Sequence, residues 1–85
     1  MNWQIAAANR ARKQFKRLPT AETDRMKDVI NEMARDPFAG DIEKMSGQEN
    51  VWRRRVGAYR IFYEVFTDQK LIHITDIRRR TSSTY

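Results

Sequence analysis

The spacing of the apolar residues changes once for good, at Val51, and that change commits the chain to helices first and a strand meander after. Before it the period is helical. Ala7, Ala11, Phe15 and Leu18 recur through a basic stretch that Pro19 stops. Thr20 stands where it can cap a second helix, with Glu22 and Asp24 at the positive end of its dipole. Met26, Val29, Ile30 and Met33 make that helix's apolar stripe, and Pro37 ends it. The two helices are expected to run antiparallel, joined at Leu18 and Pro19, with the methionines as core filler. From Val51 the period is two. Residues 51–56 and 59–66 read as strands around Gly57-Ala58, a two-residue loop of type II′ character, and residues 71–77 as a third strand after a turn at Asp68-Gln69. Trp3, Ile5 and Ala7 alternate with polar Asn2 and Gln4, a short strand ahead of both helices. Residues 38–50, with Gly40 and Gly47, read as a polar connection. The order is β-α-α-β-β-β. The expected class is a two-layer α+β domain, two N-terminal helices packed on an antiparallel sheet.

At 85 residues there is room for one domain, 1–85. The chain has no cysteine and one histidine, His73, which excludes disulfides, thiol nucleophiles and a structural zinc site. No metal, cofactor or small-molecule ligand is expected. Neither a signal-peptide stretch nor ~20 consecutive apolar residues occurs, so the expectation is a soluble cytoplasmic protein without a membrane partner. Charge is unevenly placed. Residues 1–50 carry nine basic and eight acidic side chains, and residues 51–85 carry eight and three. Seven of those last eight are arginines, whose planar fork suits phosphate, and the expected partner is a polyanion, nucleic acid foremost.

The two turns set which side chains share a face. A Gly57-Ala58 loop pairs Arg55 with Arg60 and Arg53 with Phe62. A turn at Asp68-Gln69 pairs Arg60 with Ile77 and Phe62 with Thr75. One face then gathers Trp52, Val56, Tyr59, Ile61, Tyr63, Val65, Ile72 and Ile74 for the helices to cover. The other gathers Arg53, Arg55, Arg60, Phe62, His73 and Thr75, with Arg79 in register just past the strand. Arg55 opposite Arg60 is a like-charge pair, a cost that a bound anion would offset. Arg54 falls on the core face, where it sits at a sheet edge, snorkels, or pairs with an acid such as Asp76.

Val-Trp-Arg-Arg-Arg-Val-Gly-Ala-Tyr-Arg-Ile-Phe-Tyr-Glu-Val (51–65) resembles the signature hairpin of RelE/ParE-superfamily toxins. A strand ending in Ile-Arg-Arg-Arg, followed closely by tyrosine, is similar to that family's C-terminal motif. The element order and length agree over essentially the whole chain. The resemblance implies a toxin of a type II toxin–antitoxin module, with a cognate acidic antitoxin as partner. Its RelE-like branch cleaves mRNA in the A site of the ribosomal 30S subunit without a metal; its ParE-like branch poisons DNA gyrase.

Carried over by position, the resemblance implies a catalytic set of Arg55, Arg60, Arg79 and Tyr85. Arg53, Arg78 and Arg80 would hold the RNA backbone, and Tyr85 would contact the base or ribose. That complete set favours the ribonuclease branch over a gyrase-directed toxin or a non-catalytic ribosome- or RNA-binding module. The chain departs from the family in offering arginines where RelE-like members place lysines or a Glu/His pair. Arginine stays protonated and is a poor general base. His73 reads as a satisfied structural histidine, and Glu49 as a solvated loop acid rather than a base.

Overall fold

The structure, a computed structural model, describes residues 2–79. Along the chain run β1 (Gln4–Ala7), α1 (Asn9–Lys16), α2 (Thr20–Arg35), β2 (Ile42–Lys44), β3 (Val51–Val56), β4 (Tyr59–Phe66) and β5 (Leu71–Arg79). The strands form one sheet in the order β1-β5-β4-β3-β2, with both helices on one side. The α+β two-layer class is as expected, but the sheet is mixed rather than antiparallel. β1 lies parallel to β5, Ile5 opposite Ile72 and Ala7 opposite Ile74. The meander leaves one edge of β5 open, and β1 takes it. Backbone bonds from Gln4 N–H to the Lys70 carbonyl and from Ala8 N–H to the Ile74 carbonyl, both 2.9 Å, fasten its two ends.

β2 is the other departure. Within the expected connection, Ile42, Glu43 and Lys44 pair with Arg54, Arg53 and Trp52. Three residues are too few to show an alternation. The start of α2 also differs from the expectation: Pro19, not Thr20, is the cap residue. Its carbonyl accepts the Glu22 and Thr23 N–H groups at 2.9 Å each. In the hairpin, Gly57 takes φ 58° and Ala58 stays at negative φ, as a type II′ turn requires.

The expected core face is the observed one. Val56, Ile61, Tyr63, Val65, Ile72 and Ile74 are buried against Met26, Met33 and Ala11, with Trp52 and Tyr59 partly covered. Tyr63 donates its hydroxyl to the Pro37 carbonyl at 2.7 Å, and burial pushes its phenol up to about 12, although the Arg54 charge works against that rise. Arg54, 8% exposed, points into the same layer. Its partner is Glu32 of α2, at 2.6 Å, and not Asp76, which lies across the sheet; a second N–H donates to the Ala39 carbonyl at 3.1 Å. Arg54 is the buried member of the pair, while the Glu32 side chain is 45% exposed, so losing Glu32, which strands the buried charge, is the costlier break.

Gly40 backs directly onto the Arg54 guanidinium at φ 87°, and a β-carbon there would overlap it. A β-carbon on Gly57 would meet only the tip of exposed Arg25. Gly40→Ala should therefore lower stability by about 3 kcal/mol or more, through the displaced ion pair and the left-handed backbone together. Gly57→Ala should lose only about 1 kcal/mol, from the backbone alone. Urea unfolding of both variants checks the order; equal losses would mean that Arg54 is not confined by Gly40.

Candidate nucleic-acid interface

The face turned away from the helices carries the arginines. Arg55 stands opposite Arg60 and Arg53 opposite Phe62, as the hairpin loop predicts. The β4–β5 register also follows its turn, from Phe66 opposite Leu71 as far as Tyr63 opposite Ile74. There it shifts by one, because Thr75 is an extra residue in β5. The Thr75 hydroxyl donates to the Phe62 carbonyl at 3.2 Å and closes the irregularity. Beyond it Phe62 faces Asp76, Arg60 faces Arg78, and Tyr59 faces Arg79. The expected pairs of Arg60 with Ile77 and Phe62 with Thr75 are thus replaced, and Ile77 turns into the core, 5% exposed. Arg55, Arg60 and Arg78 form one row across three neighbouring strands. Alternation puts Arg79 on the helix side of the sheet, not in that row. Arg80 and Tyr85 lie outside the described residues.

The mutual repulsion of these arginines is met in part by the chain's own acids. Arg53 pairs with Glu43 of β2, and Arg55 Nε lies 3.8 Å from Asp41. Glu43 and Asp41 are largely exposed, so each pair contributes about 0–1 kcal/mol and a phosphate can displace it. Arg60, at the centre of the row, has no carboxylate within salt-bridge distance among the described residues.

Beside the row opens a pocket of about 360 Å³, bordered by Arg10, Met45, Gln48, Phe62, Asp76 and Arg78. Arg78 lies over the Phe62 ring, 5.2 Å from its centroid, and its Nε donates to Asp76 Oδ2 at 2.5 Å. Asp76 Oδ1 accepts from Gln14 Nε2 of α1 at 2.6 Å. Burial alone would raise the Asp76 carboxyl, but the Gln14 and Arg78 hydrogen bonds and the Arg78 and Arg10 charges hold it below its usual range. Gln14, Asp76 and Arg10 are not legible as site residues from composition. One signal exists: Gln14 is the polar member of the sheet-facing stripe that contains buried Ala11 and partly buried Phe15 and Leu18.

His73 Nδ1 lies 2.9 Å from Glu64 Oε1 on the same face. Glu64 is four residues along β4 from Arg60, about 13 Å at strand rise, too far to serve one phosphate with it. Glu49 is exposed in the loop before β3. Among the described residues no three potential metal ligands come together, and no helix is long and apolar enough to cross a membrane.

Residues 5–83 match the family model described as the ParE toxin of type II toxin–antitoxin systems. The chain belongs to the RelE/ParE superfamily of type II toxins. It is 30% identical over 83 residues to a curated Methanocaldococcus jannaschii protein bearing the toxin name RelE1, covering 94% of this chain and 92% of that one. The archaeal RelE–RelB complex from Pyrococcus horikoshii has the same fold, with a TM-score of 0.86 at 24% identity, spanning 98% of this chain and 100% of that one. The RelB–RelE antitoxin–toxin complex from Methanococcus jannaschii gives 0.74 at 28% identity, over 87% and 88% of the two chains.

The Asp76 carboxyl of this toxin, held low in the folded chain, stabilises it fully above the ordinary value of 3.8 and loses that contribution as pH falls. Asp76→Asn should therefore be less stable than the wild type at pH 7, with the gap narrowing toward pH 3. Urea midpoints at the two pH values measure it. A gap of equal size at both would show that ionised Asp76 adds nothing to the fold.

Proposed function

We propose that this toxin is a ribosome-dependent endoribonuclease that cleaves mRNA in the A site and so stops translation. The row Arg55–Arg60–Arg78 carries the reading: three guanidiniums abreast, the central one without a carboxylate partner among the described residues, suit one phosphate. In metal-free cleavage the 2′-oxygen attacks the adjacent phosphorus in line. The O2′–P bond forms, the P–O5′ bond breaks, and the 2′-hydroxyl proton is lost while the 5′-oxygen gains one. The products are a 2′,3′-cyclic phosphate and a 5′-hydroxyl. Charge gathers on the non-bridging oxygens, where each preorganised donor is worth on the order of 10²–10³ in rate. Arg55, Arg60 and Arg78 fill that role, and Arg53 steadies the backbone after releasing Glu43. By resemblance, Arg80 adds to the backbone contacts and Tyr85 stacks on a splayed base or orients the ribose. The arginines stay protonated and take no part in moving the proton.

The partner is a cognate antitoxin. The Pyrococcus horikoshii and Methanococcus jannaschii relatives were solved as RelE–RelB complexes, and a chain of net charge +6 suits an acidic segment that folds on binding. Expression of the toxin alone should arrest growth, and the acidic product of a neighbouring gene should restore it.

The ParE description of the matching family model favours a second reading, gyrase inhibition by protein binding. Primer extension on mRNA from induced cells separates the two. Cleavage in register with codons is expected; intact mRNA with early DNA damage would select gyrase, and intact mRNA on toxin-bound ribosomes would select a binding module. Arg60→Ala and Arg78→Ala should each lower cleavage about 10²-fold, with ribosome binding much less changed; stability should hold or rise in Arg60→Ala but fall in Arg78→Ala, which strips buried Asp76 of a donor. Arg79→Ala should cost less, since the register puts it on the other face. Arg54→Ala should impair folding by removing the buried tie from β3 to Glu32 and the Ala39 carbonyl. Loss of cleavage in Arg79→Ala with Arg78→Ala fully active would overturn the row as the site.

A further inference from the structure

Asp76 is a buried ionisable group that the proposed chemistry leaves unused. Its side chain is 8% exposed, yet it stands on the arginine face at the wall of the pocket. A carboxylate so enclosed must have its oxygens satisfied to stay charged, and here each oxygen has a dedicated donor. Gln14 Nε2 bonds Oδ1 at 2.6 Å, and Arg78 Nε bonds Oδ2 at 2.5 Å, with Arg10 Nη1 at 3.8 Å from the same oxygen. Gln14 is itself pinned, because its amide oxygen accepts the Ile77 N–H at 2.6 Å. One α1 side chain thus holds both the backbone and the carboxylate of the post-bulge segment.

The bond to Arg78 is made through Nε. That leaves both terminal nitrogens of the guanidinium available to an anion, while Phe62 supports its plane. An arginine held this way loses less side-chain freedom when it meets a phosphate than one reaching from solvent. We propose that Asp76, braced by Gln14, is the positioning residue of Arg78. It aims the last guanidinium of the row and makes α1 part of the site's support. In its kinetic part the inference rests on the ribonuclease reading; in its geometric part it does not.

Two measurements test it. The first is a double-mutant cycle on mRNA cleavage by programmed ribosomes, with Asp76→Asn, Arg78→Ala and the double variant. Asp76→Asn keeps the shape and an oxygen for Gln14 but removes the charge that holds Arg78. Its kcat should fall about tenfold with KM nearly unchanged, and the double variant should be no slower than Arg78→Ala alone. Additive losses would show that Asp76 acts on the fold rather than through Arg78, and would overturn the proposal. Should Asp76→Asn fail to fold, Gln14→Ala takes its place in the same cycle. The second is the Arg78 Nε–Hε resonance of the free toxin by NMR. It should exchange slowly with water in the wild type and rapidly in Asp76→Asn. Fast exchange in the wild type would overturn the positioning claim whether or not the protein cleaves RNA. A wild type that leaves mRNA intact would sink the ribonuclease reading, and the resonance alone would then decide the geometry.

Discussion

Where the Thr75 hydroxyl meets the Phe62 carbonyl, β5 carries one residue more than β4, and everything beyond runs one step out of phase. The shift sends Ile77 into the core and Arg78 to the outer face. Without it Ile77 would stand on the arginine face and Arg78 would point at the helices. A period of two makes a strand unforgiving in this respect: a single inserted residue exchanges every side chain after it. The row Arg55–Arg60–Arg78 and the buried Asp76 both depend on that insertion.

A second constraint works from the opposite layer. Arg54 lies among apolar neighbours because Glu32 and the Ala39 carbonyl take its two terminal nitrogens, while its Nε stays without a partner, and Gly40 leaves the space its guanidinium occupies. These contacts tie the end of α2 and the loop after it to β3. Just beyond the loop, Asp41 and Glu43 come beside Arg55 and Arg53. The pair that looks like an error in the core pattern anchors the chain segment that delivers the acids of the arginine face.

Those acids change how the face is understood. Arginines gathered on one surface would repel one another if left alone, and here exposed carboxylates offset part of that while remaining easy to displace. The buried Asp76 differs in kind. Its carboxylate is buried although the Arg78 side chain is largely exposed, so the short bond to Nε fixes one end of a guanidinium whose other nitrogens face outward. Arg60, between the two arrangements, is the member that phosphate serves best.

The alternation of apolar residues determined the strands, the helical spacing determined both helices, and Gly57-Ala58 determined the Arg55–Arg60 pair, because each of these is local in the chain. Val51 to Phe66 could be placed residue by residue for that reason. The match of residues 51–65 to a family hairpin likewise needed no coordinates. Only the tertiary structure decided the rest. β1 joined β5 in parallel because that edge was open, a matter of which distant segments meet. Glu32, and not Asp76, became the partner of Arg54 because α2 covers that side of β3. Thr75 became the extra residue because the two ends of β5 are held in different registers, the first by its turn and the second by Gln14 on the Ile77 N–H. Composition carries no mark of such a competition, and it was this that put Arg78 in the row and Arg79 behind it.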